Sequence, residues 1–152
     1  MLRYRIFLRE ALLRAINTEE NPHILDFGCG PGRDLLAFQA LGVKVSGLDG
    51  APSFCSMARE VSGAEVYHQD FLNLDLPGEH FDGIFANATL FHIPSGEIKR
   101  VLSDLHGALK PGGVLFSSNP RGEDQEGWNG MRYGTYYRPE TWRSILEETG
   151  FL

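Results

Sequence analysis

Leu25-Asp26-Phe27-Gly28-Cys29-Gly30-Pro31-Gly32-Arg33-Asp34 is the stretch that decides how this chain folds. A short apolar run ends on an acid and an aromatic ring. Glycines then stand at alternate positions, and a polar, helix-forming sequence follows. Such a junction lets the backbone pass close beneath a ligand, and the helix start offers free N–H groups. A glycine-rich turn also serves tight strand–helix packing, so its spacing matters more than its presence. The dinucleotide fingerprint Gly-x-Gly-x-x-Gly would need glycine at position 33, where Arg33 stands, and Gly32 comes one residue early. Asp26 disfavours a pyrophosphate and tolerates a positively charged or zwitterionic ligand.

Outward from this junction, strand-like and helix-like segments alternate. His23 to Phe27 reads as a strand, and a helix opens after Gly32 and runs through Leu41, with Gly42 ending it. Val43 to Leu48 is a β-branched strand, Ala51 to Val61 a helix, and Ala64 to His68 and Phe81 to Ala86 two further strands. Ser95 to Lys110 predicts a helix with Ser95 as N-cap and Ile98, Val101, Leu102, Leu105 and Leu109 on one face. Pro111-Gly112-Gly113 breaks it, Val114-Leu115-Phe116 makes a fifth strand, and Asn119 to Arg138 reads as a long polar and aromatic loop. A last helix runs from Pro139 to Thr149. The alternation predicts an α/β fold: a doubly wound, mostly parallel sheet of about five strands with helices on both faces. Ligands bind such sheets at the carboxyl ends of the strands.

The 152 residues suit a single domain, residues 1–152. The 18 glycines have no tripeptide period, which excludes a collagen-like chain. A net charge of −6 argues against a nucleic-acid partner, and no apolar run is long enough to span a membrane. Cys29 and Cys55 make neither a disulfide framework nor a zinc site, so no metal is expected and the location expected is cytoplasmic. Residues 1–17 are Arg-rich, with Leu2, Ile6, Leu13 and Ile16 near helical spacing. That pattern fits an organelle transit peptide or a helix packed on the domain. The short spacer before the first strand favours the helix.

Asp49 ends the second strand about 20 residues after the glycine loop, where a carboxylate accepts both hydroxyls of a ribose. A strand-end Asp alone is more often a turn or helix cap; after this loop the ribose reading is preferred.

These residues resemble the class I, Rossmann-like S-adenosylmethionine-dependent methyltransferases. The marks are Asp26-x-Gly28-x-Gly30-x-Gly32, Gly47-Leu48-Asp49, Gln69-Asp70-Phe71, Phe81-Asp82-Gly83-Ile84 and Leu109-Lys110-Pro111-Gly112-Gly113. Gly32 to Phe38 and Ala86 to Pro94 look like a bacterial, tellurite-resistance-like subgroup that methylates small molecules. The resemblance implies that S-adenosyl-L-methionine is the cofactor and S-adenosyl-L-homocysteine the product. It implies that Gly28, Cys29 and Gly30 hold the methionine portion and that Asp26 orients its amino end. Asp49 would bind the ribose, Gly50 and Ala51 would lie along the adenine, and Asp70 with the Phe71 N–H would meet the adenine edge. The Asn87 carbonyl would receive the methionine amine. Asp70 and Asn87 also read as turn-forming residues, and Phe71 as packing. Many relatives carry Ser where this chain has Ala51.

The family fold has strand order 3-2-1-4-5-7-6, and here the sequence reaches Leu152 with five strands accounted for. The resemblance therefore implies that strands six and seven are lacking and that the fifth strand keeps an open edge. Either the chain is shortened or a second copy covers that edge as a homodimer.

Methyl transfer needs an aligned acceptor and excluded water, with a general base when the acceptor carries a proton. His92, after the fourth strand, is the candidate base, with a structural hydrogen-bonding role as its alternative. Arg121, Arg132 and Tyr133 in the 119–138 loop are the substrate candidates, since guanidinium groups beside aromatic rings suit a flat anion. The same residues suit a flap that only seals the site. The expected function is methylation of a small molecule. The alternatives are a catalytically weak cofactor-binding or dimerisation domain and a nicotinamide-dependent oxidoreductase, which the loop spacing disfavours.

Overall fold

The protein is described by a computed structural model that covers the backbone of residues 2–18 and 20–151 and the side chains of residues 8–18 and 20–151. Leucine, valine and phenylalanine runs form β1 (His23–Phe27), β2 (Lys44–Asp49), β3 (Val66–His68), β4 (Phe81–Asn87) and β5 (Leu109–Ser118). All pair in parallel in the order β3-β2-β1-β4-β5. Every residue of β1 is buried, as a central parallel strand covered on both faces requires.

Alternation along the strands splits the core in two. Leu25, Phe27, Ile84 and Ala86 face α4 (Ile98–Ala108) and α5 (Pro139–Glu148). Ile24, Val45 and Phe85 face α1 (Leu2–Ala15), α2 (Arg33–Ala40) and α3 (Pro52–Ser62). The predicted doubly wound α/β sheet is the observed one.

The N-terminal stretch is a helix packed on the domain. Of its expected apolar positions, Leu2 and Ile6 have side chains outside the described residues; Leu13 and Ile16 pack partly, and Leu12 is buried. Arg9 is buried as well and pairs with Asp34 at the start of α2. No helix among the described residues is long and apolar enough to cross a membrane.

The 119–138 segment differs from the expected loop. It contains an antiparallel hairpin, β6 (Gln125–Asn129) with β7 (Arg132–Tyr136), joined by Gly130-Met131. The left-handed φ of Gly130, 65°, makes the two-residue connection. The chain therefore has seven strands in two sheets among its described residues. The helix expected from Ser95 starts at Ile98, because the Ser95 hydroxyl donates to Glu126 of the hairpin instead of capping. It ends at Ala108, because Leu109 already pairs with Phe81 in the sheet.

Among the described residues β5 has no second neighbour in the main sheet. A groove of about 690 Å³ runs along its free side, lined by Leu109, Val114, Leu115, Leu146 and Phe151, with Lys110 among its polar residues.

Candidate active site

At the carboxyl end of β1 the chain turns on Gly28, with φ +82°. A Cβ there would lie 2.6 Å from the Thr89 methyl, so the turn after β4 sits directly on the glycine loop. The Gly28 and Cys29 N–H groups both donate to the Leu48 carbonyl, at 2.8 and 2.9 Å. Asp49 closes the unit: its two carboxylate oxygens accept the Gly30 and Ala51 N–H groups, each at 2.9 Å. Asp26, Gly28, Cys29, Gly30, Asp49, Gly50 and Ala51 are thus gathered at the ends of β1 and β2.

Asp26 is 2% exposed, and its Oδ2 has no hydrogen-bond partner among the described residues. Burial pushes its carboxyl well above the usual range, helped by the charges of Asp34 and Asp49 and opposed by Arg9. An orphaned acceptor beside two further acids is a place built for a cationic donor. Cys29 does not supply one. Burial, then Asp26 and Asp49, pushes its thiol up to about 12, so it stays protonated and serves as packing.

The remaining sequence candidates divide. Phe71 stacks on Phe27 with ring centroids 4.6 Å apart. Asp70 is exposed and its Oδ1 accepts the Leu72 N–H at 2.9 Å, the turn-forming role. The Gly50 carbonyl meets His68 Nε2 at 3.2 Å. Asn87 takes the Thr89 hydroxyl on its main-chain oxygen at 3.2 Å and the Ser118 hydroxyl on its Oδ1 at 2.6 Å.

His92 belongs to a second unit. It lies on a single helical turn, Leu90–His92, and its Nδ1 is 2.8 Å from the Tyr133 carbonyl. A carbonyl only accepts, so Nδ1 carries the proton and Nε2 of the neutral ring is the basic nitrogen. The same hairpin is tied down by Glu126, which accepts from the Ser95 N–H at 2.9 Å, the Ser95 hydroxyl at 2.5 Å and the Tyr133 hydroxyl at 2.6 Å. The Ser95 and Tyr133 donors hold the Glu126 carboxyl down to about 2. Buried Thr135 adds a bond to the Ile93 carbonyl at 3.2 Å. Tyr133 is thereby engaged, whereas Arg121 and Arg132 are exposed and form no ion pair among the described residues.

Sequence reasoning passed over Thr89, Ser118 and Glu126. Ser118 and Glu126 meet partners 31 positions away, and Thr89 covers the distant Gly28, so no local pattern signals them. Asn129-Gly130, a common hairpin dipeptide, was the one cue to β6 and β7.

Residues 24–113 match the family model described as a methyltransferase domain. The chain belongs to that family, and S-adenosyl-L-methionine is its cofactor. The trans-aconitate 2-methyltransferase of Paracidovorax citrulli is 32% identical over 139 residues, 89% of this chain and 52% of the relative. The chain spans about half the length of the curated relatives it matches. An S-adenosylmethionine-dependent methyltransferase from Mesorhizobium loti superposes with a TM-score of 0.73 at 22% identity, over 94% of this chain and 80% of that one. The Burkholderia thailandensis 1,6-didemethyltoxoflavin-N1-methyltransferase, solved with 1,6-didemethyltoxoflavin and S-adenosylhomocysteine, gives 0.75 at 21%, over 93% and 66%. At such identities the solved structures establish the fold.

The residues present fit the cofactor. The orphaned Asp26 oxygen calls for a positive donor, which its ammonium provides, and Gly30 has nothing within 4 Å of where a Cβ would stand, which leaves room beside the loop.

Proposed function

We propose that the chain is a methyltransferase that moves the methyl group of S-adenosylmethionine in line onto a small, carboxylate-bearing molecule. The observation that carries the cofactor half is the buried, partnerless Oδ2 of Asp26 beside the Gly28–Gly30–Asp49 unit. Asp26 takes the ammonium of the amino-acid portion, with the Asn87 carbonyl as second acceptor. Asp49, anchored by the Gly30 and Ala51 amides, presents its free lone pairs to the ribose hydroxyls. Gly50 and Ala51 flank the adenine, and Asp70 with the Phe71 amide lies at its edge. The bound sulfonium supplies an electrophilic methyl, which leaves with an acceptor lone pair while sulfur keeps the C–S electrons.

The acceptor class rests on the relatives and on charge. Trans-aconitate is a polycarboxylate, and Arg121, just before the hairpin, and Arg132, beside Tyr133 in β7, are both exposed. The hairpin and the His92 turn form one wall that excludes water, and His92 Nε2 is placed to take a proton where the acceptor carries one. The bacterial small-molecule subgroup is supported by the segments Gly32 to Phe38 and Ala86 to Pro94.

Calorimetric titration with S-adenosylhomocysteine, beside Asp49→Ala, tests the cofactor site. Micromolar binding lost in the variant is expected; no binding by folded wild-type chain overturns the reading. A screen of di- and tricarboxylates for methyl ester formation then tests the acceptor class.

A second reading, a weakly active cofactor-binding domain that pairs with its own copy, is favoured by the free side of β5. Sedimentation equilibrium decides it: a dimer abolished by Leu115→Lys supports the pairing, and a monomer removes it.

A further inference from the structure

We propose that Ser118 is a positioning residue: its hydroxyl sets the turn after β4 so that the Asn87 carbonyl faces the amino-acid half of the cofactor. The inference rests on the reading that Asn87 receives the cofactor amine.

Ser118 is the last residue of β5 and stands opposite Asn87 in the parallel ladder. Beyond the ladder it makes three more contacts with the turn. The Ala88 N–H points at both the Ser118 carbonyl, at 2.9 Å, and the Ser118 Oγ, at 3.0 Å. The same Oγ donates its proton to Asn87 Oδ1 at 2.6 Å. One hydroxyl therefore accepts from the main chain and donates to the neighbouring side chain, and its only proton is committed to Oδ1. That fixes the face of the Asn87 amide and keeps the side chain turned toward β5.

The turn needs holding. Ala88 has φ +54°, in the left-handed region that residues with a Cβ rarely adopt. It is exposed, so packing does not keep it there; the hydrogen bonds from Ser118 do. The next residue, Thr89, is 5% exposed and rests on the bare Cα of Gly28 while its hydroxyl holds the Asn87 carbonyl. The chain of contacts runs from Ser118 through the 87–89 turn to the glycine loop. Removing the hydroxyl deletes one of the two acceptors of the Ala88 N–H, whose peptide unit carries the Asn87 carbonyl, and also frees the Asn87 side chain. The carbonyl is then held only through the Ser118 main-chain oxygen and the Thr89 hydroxyl, while the sheet stays paired.

The measurement is calorimetric binding of two ligands to wild type, Ser118→Ala and Ser118→Thr. S-adenosylhomocysteine carries the amino-acid half; 5′-methylthioadenosine lacks it. Ser118→Ala is expected to weaken S-adenosylhomocysteine by about tenfold, the worth of a good hydrogen bond, and to leave methylthioadenosine within about twofold. Ser118→Thr, which keeps the hydroxyl, restores the first value. Equal loss for both ligands, or loss for neither, overturns the assignment while leaving the cofactor site standing. Wild type that binds neither ligand instead removes the Asn87 reading and the assignment with it. Should Ser118→Ala fail to fold, Ala88→Val attacks the turn from its other side, since a β-branched residue resists positive φ. The same selective loss is expected there, and its absence counts against Ser118.

Discussion

His23 and Asp26 lie three positions apart on β1, buried to 8% and 2% exposure, and the sheet treats them in opposite ways. At the amino end His23 is provided for. Its Nε2 meets the Ser46 hydroxyl at 2.8 Å, its main-chain N–H donates to Asp82 at 2.8 Å, and its ring packs edge-on against Phe81. Burial, with the nearby Lys44 and His80, pushes its imidazolium down to about 4, so the ring is neutral and content. At the carboxyl end Asp26 is left with an empty acceptor among acids. The amino end of a parallel sheet serves stability; the carboxyl end gives some up to hold a ligand.

The largest effect should come from breaking the Asp26 side. Asp26→Asn is expected to weaken S-adenosylhomocysteine by about a hundredfold by calorimetry, since a charged hydrogen bond is lost. The same variant should melt at a higher temperature than wild type at neutral pH. The sign follows from the raised carboxyl: because its folded value lies above its unfolded one, Asp26 takes stability from the fold as pH rises past the ordinary carboxylate range, and the amide removes that cost. A variant that binds normally would erase the contrast.

His23→Ala should do the reverse. It strands the Ser46 hydroxyl in the core and is expected to cost about 1–3 kcal/mol in urea unfolding, with ligand affinity unchanged. A smaller effect sharpens the same end. Burial brings the His23 imidazolium down to about 4 in the folded chain, from an ordinary 6.5 in the unfolded one. The unfolded chain therefore binds more protons between those values, and stability should drop as pH falls through that window. His23→Gln should flatten this part of the pH profile.

The smallest effect concerns the hairpin. Glu126, held down to about 2, helps dock β6 and β7 above its unfolded value of 4.5, and that help fades as pH falls toward 2. Peptic cleavage within residues 119–138, taken relative to an unstructured peptide at each pH, should speed up over that range more in wild type than in Glu126→Gln, with Asp124 supplying the remaining dependence.

The parallel sheet and the Asp26-to-Asp49 unit were legible because they are written locally. Buried strands read as apolar runs, and Gly28, Gly30 and Gly32 mark a backbone that must bend. The hairpin was not, since its strands carry polar residues on both sides and only Gly134 and Thr135 are buried. Its order comes from Glu126 reaching Ser95, 31 positions back. Ser95 looked like a helix cap for the same reason: the sequence shows a hydroxyl before an amphipathic run and hides the carboxylate that claims it. The Asp49 and Asp70 signals looked alike in sequence, yet Asp49 accepts two amides that close the glycine loop, whereas Asp70 accepts one amide in an exposed turn.

The chain's two tryptophans are placed unequally: Trp128 is 74% exposed near the hairpin tip, whereas the indole N–H of Trp142 donates to Ser117 near the end of β5 at 3.1 Å. Their emission should separate into a red, readily quenched component and a blue, protected one. Trp128→Phe would leave an intrinsic optical gauge whose single tryptophan is bonded to Ser117, the neighbour of Ser118, reading the end of β5 without any added label.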